Sequence, residues 1–199
     1  MPNSVQTFAN TGSLYVLAHG VAHFGGVSEA GLFSICQRIL TIPVRIVGNS
    51  VKQVLLKYLS VSDGRTRYYY LKKYTFILTI LSLSIFGTLS ILASWLSIES
   101  MYPNWVGFEK YVAPVSIWLA VTMIYVPSVS ILNTYGSTAP HMFYEISSVA
   151  TKGLIVLASV YYGFNMPSVS FVYLSSMLAV VLSLFIILSA FKVAKNENS

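Results

Sequence analysis

The chain has 199 residues, of which 55% are hydrophobic and only 9% charged, with a net charge of +6 and a mean hydropathy of +0.70. A water-soluble domain carries about 25% charged residues because its surface must be hydrated, so this composition excludes a soluble globular protein and makes lipid the solvent. The length fits one bundle of about six spanning helices at roughly 20 residues each and leaves no room for a second domain.

The predicted elements run as follows. Segment 8–24 contains His19, His23 and several small polar residues. Segment 30–57 contains Arg38, Arg45, Lys52 and Lys57 in an otherwise Leu-, Ile- and Val-rich run. Both read as helices facing a bundle interior or a wet cavity, where polar groups are tolerated in a membrane. Segment 74–98 is free of charge, flanked by Lys72–Lys73 and Glu99. Segment 111–133 follows, then 141–162 with Glu145 and Lys152. The turn Gly163-Phe164-Asn165-Met166-Pro167 leads into 168–191, closed by Lys192 and Lys195. The last four are each long enough to cross about 30 Å of hydrocarbon at 1.5 Å per residue. Pro43, Pro114 and Pro127 fall inside these helices as candidate kinks. The serines of the Tyr74 helix read as small packing residues.

The cations lie between or within apolar runs, not on a basic polar face, so no nucleic-acid partner is expected. They crowd into Asp63-Gly64-Arg65-Thr66-Arg67, Lys72–Lys73 and the tail, whereas the loops around Glu29, Glu99–Lys110 and Asn165 share one lysine. The positive-inside rule then places both termini in the cytoplasm. Tyr102, Trp105 and Tyr111 at one end, and Tyr68–Tyr69–Tyr70 at the other, fit interfacial aromatic belts. The first cation is Arg38, so the expectation is that no secretory signal is present. The lone Cys36 excludes an internal disulfide and a cysteine-based zinc site.

Arg38, Arg45 and Lys52 are spaced by seven, and seven steps of a helix return almost to the starting direction. They form one stripe about 21 Å deep at 1.5 Å per residue. Each cation costs about 2.5–3.5 kcal/mol at a helix centre on insertion scales, so the stripe should line a water-filled cavity, with Asn49 and Gln53 beside it. A cationic cavity calls for an anion, and the arginine fork suits phosphate. The alternative is snorkelling or pairing with acids; Glu145 is the one acid within the spans, so pairing cannot neutralise all three, whereas Lys52 and Lys57, nearer the cytoplasmic end, read as snorkelling or phospholipid-facing. Glu145 and Lys152, also seven apart, read as a coupling pair or a structural one. His19 and His23 have metal-ligand spacing without an accompanying Glu or Cys, so a packed or interfacial pair is expected and no metal. Enzyme motifs are missing: there is no Walker A loop, Gly-x-Ser-x-Gly or paired catalytic carboxylate.

The stretch AGLFSICQRILTIPVRIVGNSVKQV from Ala30 resembles the signature of the Wzx-type oligosaccharide-lipid flippases, a family of the MATE and lipid II flippase superfamily. Its marks are Gly31, Gln37-Arg38 with Leu40, Pro43, Gly48 and Gln53. The upstream PNSVQTFANTGSLYVLAHGVAHFGG resembles the helix before that signature, and Tyr111 to Leu188 follows the family's last three helices in length and order. Two departures stand out. Family members have twelve or more helices in two lobes, so this chain is expected to be the C-terminal lobe alone. Arg45 and Lys52 fall where the family has small or apolar residues, so the motif carries over Arg38 only.

The resemblance implies an all-α, MATE-like lobe of about six transmembrane helices in a bacterial cytoplasmic (inner) membrane. It implies flipping of undecaprenyl-pyrophosphate-linked oligosaccharide repeat units by alternating access, for O-antigen, capsule or exopolysaccharide synthesis. The expected partners are the lipid-linked substrate, the bilayer, and an absent N-terminal lobe or second chain; no cofactor is implied. A cation-coupled multidrug exporter lobe is the competing transporter, and it would favour acidic cavity residues. A membrane-embedded glycan polymerase or acyltransferase would need a large external loop or a His/Asp centre.

Overall fold

The computed structural model describes residues 2–59, 64–95, 105–135 and 138–196. Five helices make up nearly all of them: α1 Pro2–Leu59, α2 Gly64–Trp95, α3 Glu109–Thr134, α4 Ala139–Tyr162 and α5 Ser168–Asn196. No strand occurs among the described residues. All five helices are long and apolar enough to cross a membrane, which marks a multi-pass membrane protein.

The sequence separates 8–24 from 30–57 by a loop, whereas the structure narrows that break to one residue. α1 is 58 residues long, about 87 Å if straight and far beyond a hydrocarbon core of about 30 Å. It is interrupted at Gly26, whose φ of 86° and ψ of 173° lie outside the helical region. Side-chain register shows what the interruption does. In the first arm, 2–25, Ser13 meets Ser148 and His23 meets Ser159, so this arm runs parallel to α4. α4 runs antiparallel to α3, because Tyr125 packs on Tyr144 while Lys152 lies over Trp118. In the second arm, 27–59, Phe33 packs on Tyr111 and Gly48 abuts Val126, so this arm runs parallel to α3. The two arms therefore run in opposite directions, and the chain doubles back at Gly26.

The remaining helices follow the same logic. Ser82 of α2 donates to the Ala120 carbonyl at 3.2 Å and Arg67 lies over the Tyr135 ring, so α2 is antiparallel to α3. Ser176 of α5 donates to the Pro114 carbonyl at 2.7 Å, and Ile186 and Ala190 join Ile131 and Leu132, so α5 runs parallel to α3. α3 is the central helix. It has no charge between Lys110 and its end, and a helix apolar all round belongs in the middle of a bundle. Pro114 and Pro127 are buried inside it without dividing it into two elements. In α1 the dihedral break falls at Gly26, not at Pro43.

α4 shows what the solvent is. Its buried residues include His141, Tyr144, Glu145, Ser148, Lys152 and Ser159, a three-to-four-residue spacing that is polar throughout. Its exposed residues include Phe143, Ile146, Leu154, Leu157 and Val160. A helix in water turns its apolar stripe inward. α4 is the reverse, and only a hydrocarbon surround makes that arrangement favourable.

α2 starts ten residues earlier than the apolar run predicts, and α5 extends five residues further, to Asn196. Their lengths of 32 and 29 residues correspond to about 48 and 44 Å, so their charged ends project beyond the hydrocarbon. Residues 96–98, Glu99, Tyr102 and Asp63 lie outside the described residues. Register brings Lys57, Arg65, Arg67, Lys72, Lys73, Lys192 and Lys195 to one end of the bundle. An aromatic cluster sits there: Tyr58 stacks on Tyr70 at 5.0 Å, and Tyr68 meets Phe191 edge-on. The opposite end holds the Gly26 turn and Trp105. It is tied by the Glu29 carboxylate, which accepts hydrogen bonds from Tyr111 at 2.7 Å and from Ser168.

Candidate functional site

Two groups of polar residues occupy positions that a membrane protein does not give to polar side chains without cause. The first is the cation stripe. In the second arm of α1 the buried positions are Phe33, Cys36, Leu40, Val44, Gly48 and Leu55, which set the side facing the bundle. Stepping about 100° per residue puts Arg38 opposite its buried neighbours, Arg45 about a quarter turn from them, and Lys52 at the flank of the buried side. All three are exposed, as are Asn49 and Gln53. The stripe exists as one face of one helix, turned away from the core at Arg38 and running toward its flank at Lys52. Among the described residues no acid forms an ion pair with any of its three cations. The cavity it was expected to line is therefore not enclosed by these five helices. Exposed Ile39, Ile42 and Ile46 flank it, so the face mixes charge with lipid-compatible surface.

The second group is buried. Glu145 and Lys152 project from α4 into a cavity of about 60 Å³ shared by the first arm of α1, α3 and α4. Ser13, Trp118, Thr122, Tyr125, Tyr144 and Ser148 complete its walls. Lys152 Nζ donates to Ser13 Oγ at 2.7 Å and lies 5.8 Å from the Trp118 ring centroid. Ser13 Oγ is also 3.1 Å from Ser148 Oγ. Glu145 lies 3.6 Å from His141 Nε2. The two charges share one face and one cavity, yet no direct ion pair joins them. Lys52 comes within electrostatic reach of His141, so the inner end of the stripe approaches this cavity.

Sequence reasoning found Glu145 and Lys152 but missed their surroundings. The signal for part of them was present: His141, Tyr144, Ser148 and Ser159 recur with Glu145 and Lys152 at helical spacing. Ser13 and Trp118 carried no such signal, because only packing brings them there from distant helices. His19 and His23 are both exposed, and His23 Nε2 lies 3.1 Å from Ser159 Oγ. No cluster of three or more metal-ligating side chains occurs among the described residues.

The stripe offers three cations to an anion on an outward face, and the cavity offers a buried acid and base in a small polar space. Comparison with known proteins finds no matching family model, no matching curated relative and no matching solved structure.

Proposed function

We propose that this chain forms one wall of a transporter that flips a lipid-linked oligosaccharide across a bacterial cytoplasmic membrane, with the substrate's pyrophosphate held by Arg38, Arg45 and Lys52. The observation that carries this reading is the outward-facing cation stripe, exposed along about 21 Å of helix. Three charges on a bundle exterior are unfavourable against lipid and favourable against a water-filled cleft. A second lobe, in the same polypeptide or another chain, would supply the facing wall, as in transporters whose two halves rock about a central site. The arginine forks match phosphate oxygens, and the flanking isoleucines suit a polyprenyl tail. A purified sample in nanodiscs should retain a polyprenyl-pyrophosphate oligosaccharide in preference to the matching uncharged polyprenol. Changing Arg38, Arg45 and Lys52 together to Gln should remove that preference; equal binding of both lipids by the unaltered chain would end the proposal.

The same reading takes α1 as two crossings and the chain as six, with the cation-rich end and both termini in the cytoplasm. In a Cys36→Ser background, single cysteines at Thr66, Asn165 and Ser199 test this with an impermeant thiol reagent. Only the Asn165 position should label in intact cells. External labelling at Thr66 would invert the topology.

A further inference from the structure

We propose that the cavity between the first arm of α1, α3 and α4 is a proton-binding site, in which Glu145 takes up a proton beside Lys152. The inference stands independently of the flippase reading, since it concerns a different face of the molecule and has a spectroscopic readout.

Lys152 is 3% exposed and has two partners for its ammonium. A hydroxyl accepts from its ammonium, and the face of Trp118 lies within cation–π range. Glu145 is equally buried, and its one ion-pair contact among the described residues is the His141 ring at 3.6 Å. A purely structural pair would gain most by closing to direct contact, because attraction at short range is what offsets desolvation. Here the acid and base stay apart, with a polar space of about 60 Å³ beside them. That space is large enough for water and is lined by hydroxyls that can bind it. Water in contact with a buried carboxylate is a route for a proton.

The step is simple in its balance. A hydronium ion in the cavity gives its proton to a Glu145 carboxylate oxygen and leaves a water molecule. The site gains one positive charge, and no other bond changes. The other groups facing it are Tyr125 from α3, His141 and Tyr144 from α4, and Lys52 from the second arm of α1 through His141. The first arm contributes Ser13, which does not titrate in water's range. The charges of α5, Lys192 and Lys195, are exposed, the nearer of them about two turns past Phe185, which packs on Phe143 of α4. Of these groups only Glu145 is a carboxylic acid, which makes it separable from its neighbours by infrared absorption.

The test is infrared difference spectroscopy of the whole chain in lipid vesicles, taken from roughly pH 9 to roughly pH 5, a range spanning ordinary carboxyl and histidine titration. A protonated-carboxyl band should grow on acidification in the unaltered protein, and Glu145→Gln should remove part of it. Lys152→Met should make that part appear at higher pH, because the carboxylate loses its positive neighbour. Spectra identical between the unaltered protein and Glu145→Gln would overturn the proposal. A second measurement leaves the site untouched: with Trp95→Phe and Trp105→Phe, emission comes from Trp118 alone. That emission should shift across the same pH interval as the charge beside it changes, and a flat titration would overturn the proposal equally.

Discussion

Arg38→Ala in the assembled two-walled transporter should reduce glycan export to background. Removing one partner of a close charge contact costs about 2–5 kcal/mol, which at about 1.4 kcal/mol per tenfold is a loss of roughly 30-fold or more. Arg38 is exposed and on the side away from the core, so the variant should accumulate near the level of the unaltered protein. Arg38→Lys should recover part of the export, since it keeps the charge and loses the two-pronged donor geometry. Surface glycan measured against membrane abundance separates these outcomes. Normal export by Arg38→Ala at full abundance would remove the best-supported anion contact, and with it the reading of the stripe as a substrate wall.

The other large effect is expected at the turn. Gly26 combines a φ of 86° with a ψ of 173°, a region that glycine alone occupies readily. Gly26→Ala should therefore cost about 1–3 kcal/mol in backbone strain, although no neighbouring atom lies close enough to meet the new methyl. At about 2–4 °C per kcal/mol for a chain of this size, the thermal midpoint in detergent should fall by several degrees. Gly153→Ala is the matched control, because it also meets no neighbour but sits in an ordinary helical turn of α4. It should melt at or slightly above the unaltered protein, since alanine favours helix over glycine. Equal melting of Gly26→Ala and Gly153→Ala would show that the doubling-back does not depend on glycine.

The membrane character and the helices from Tyr74 onward were legible because each charge-free run is long and lipid imposes a simple length rule. The first third was harder. Residues 24–30 offered Gly25 and Gly26 as breakers, but hydropathy cannot tell a loop from a one-residue reversal inside otherwise continuous helix. Helix ends were misjudged wherever charged residues continue a helix past the hydrocarbon, as at Arg65 to Lys73, because hydropathy marks the lipid boundary and not the last hydrogen-bonded turn. Within the candidate sites, seven-residue spacing placed Arg38, Arg45 and Lys52 on one face and Glu145 with Lys152 on another. Spacing along one helix cannot say whether a face turns inward or outward. The two faces have opposite fates in the structure: the α1 stripe is exposed and the α4 pair is buried. The difference lies in which neighbours each helix packs against, and that is written in the other helices.

The contacts of the first arm also set an order of assembly. Ser13 and His23 leave the ribosome well before their partners Ser148, Lys152 and Ser159, which lie 135 to 139 positions later. At about 5–20 residues per second, the arm waits roughly 7–27 s for α4 to be made. During that time its polar groups face the insertion machinery, water or a chaperone instead of their final helix. α4 in turn cannot shelter Lys152 until the arm is in place beside it. The first arm and α4 are thus late partners although one is made before the other, and the step that joins them is the one at which a cell would find an unfinished chain still open to proteolysis.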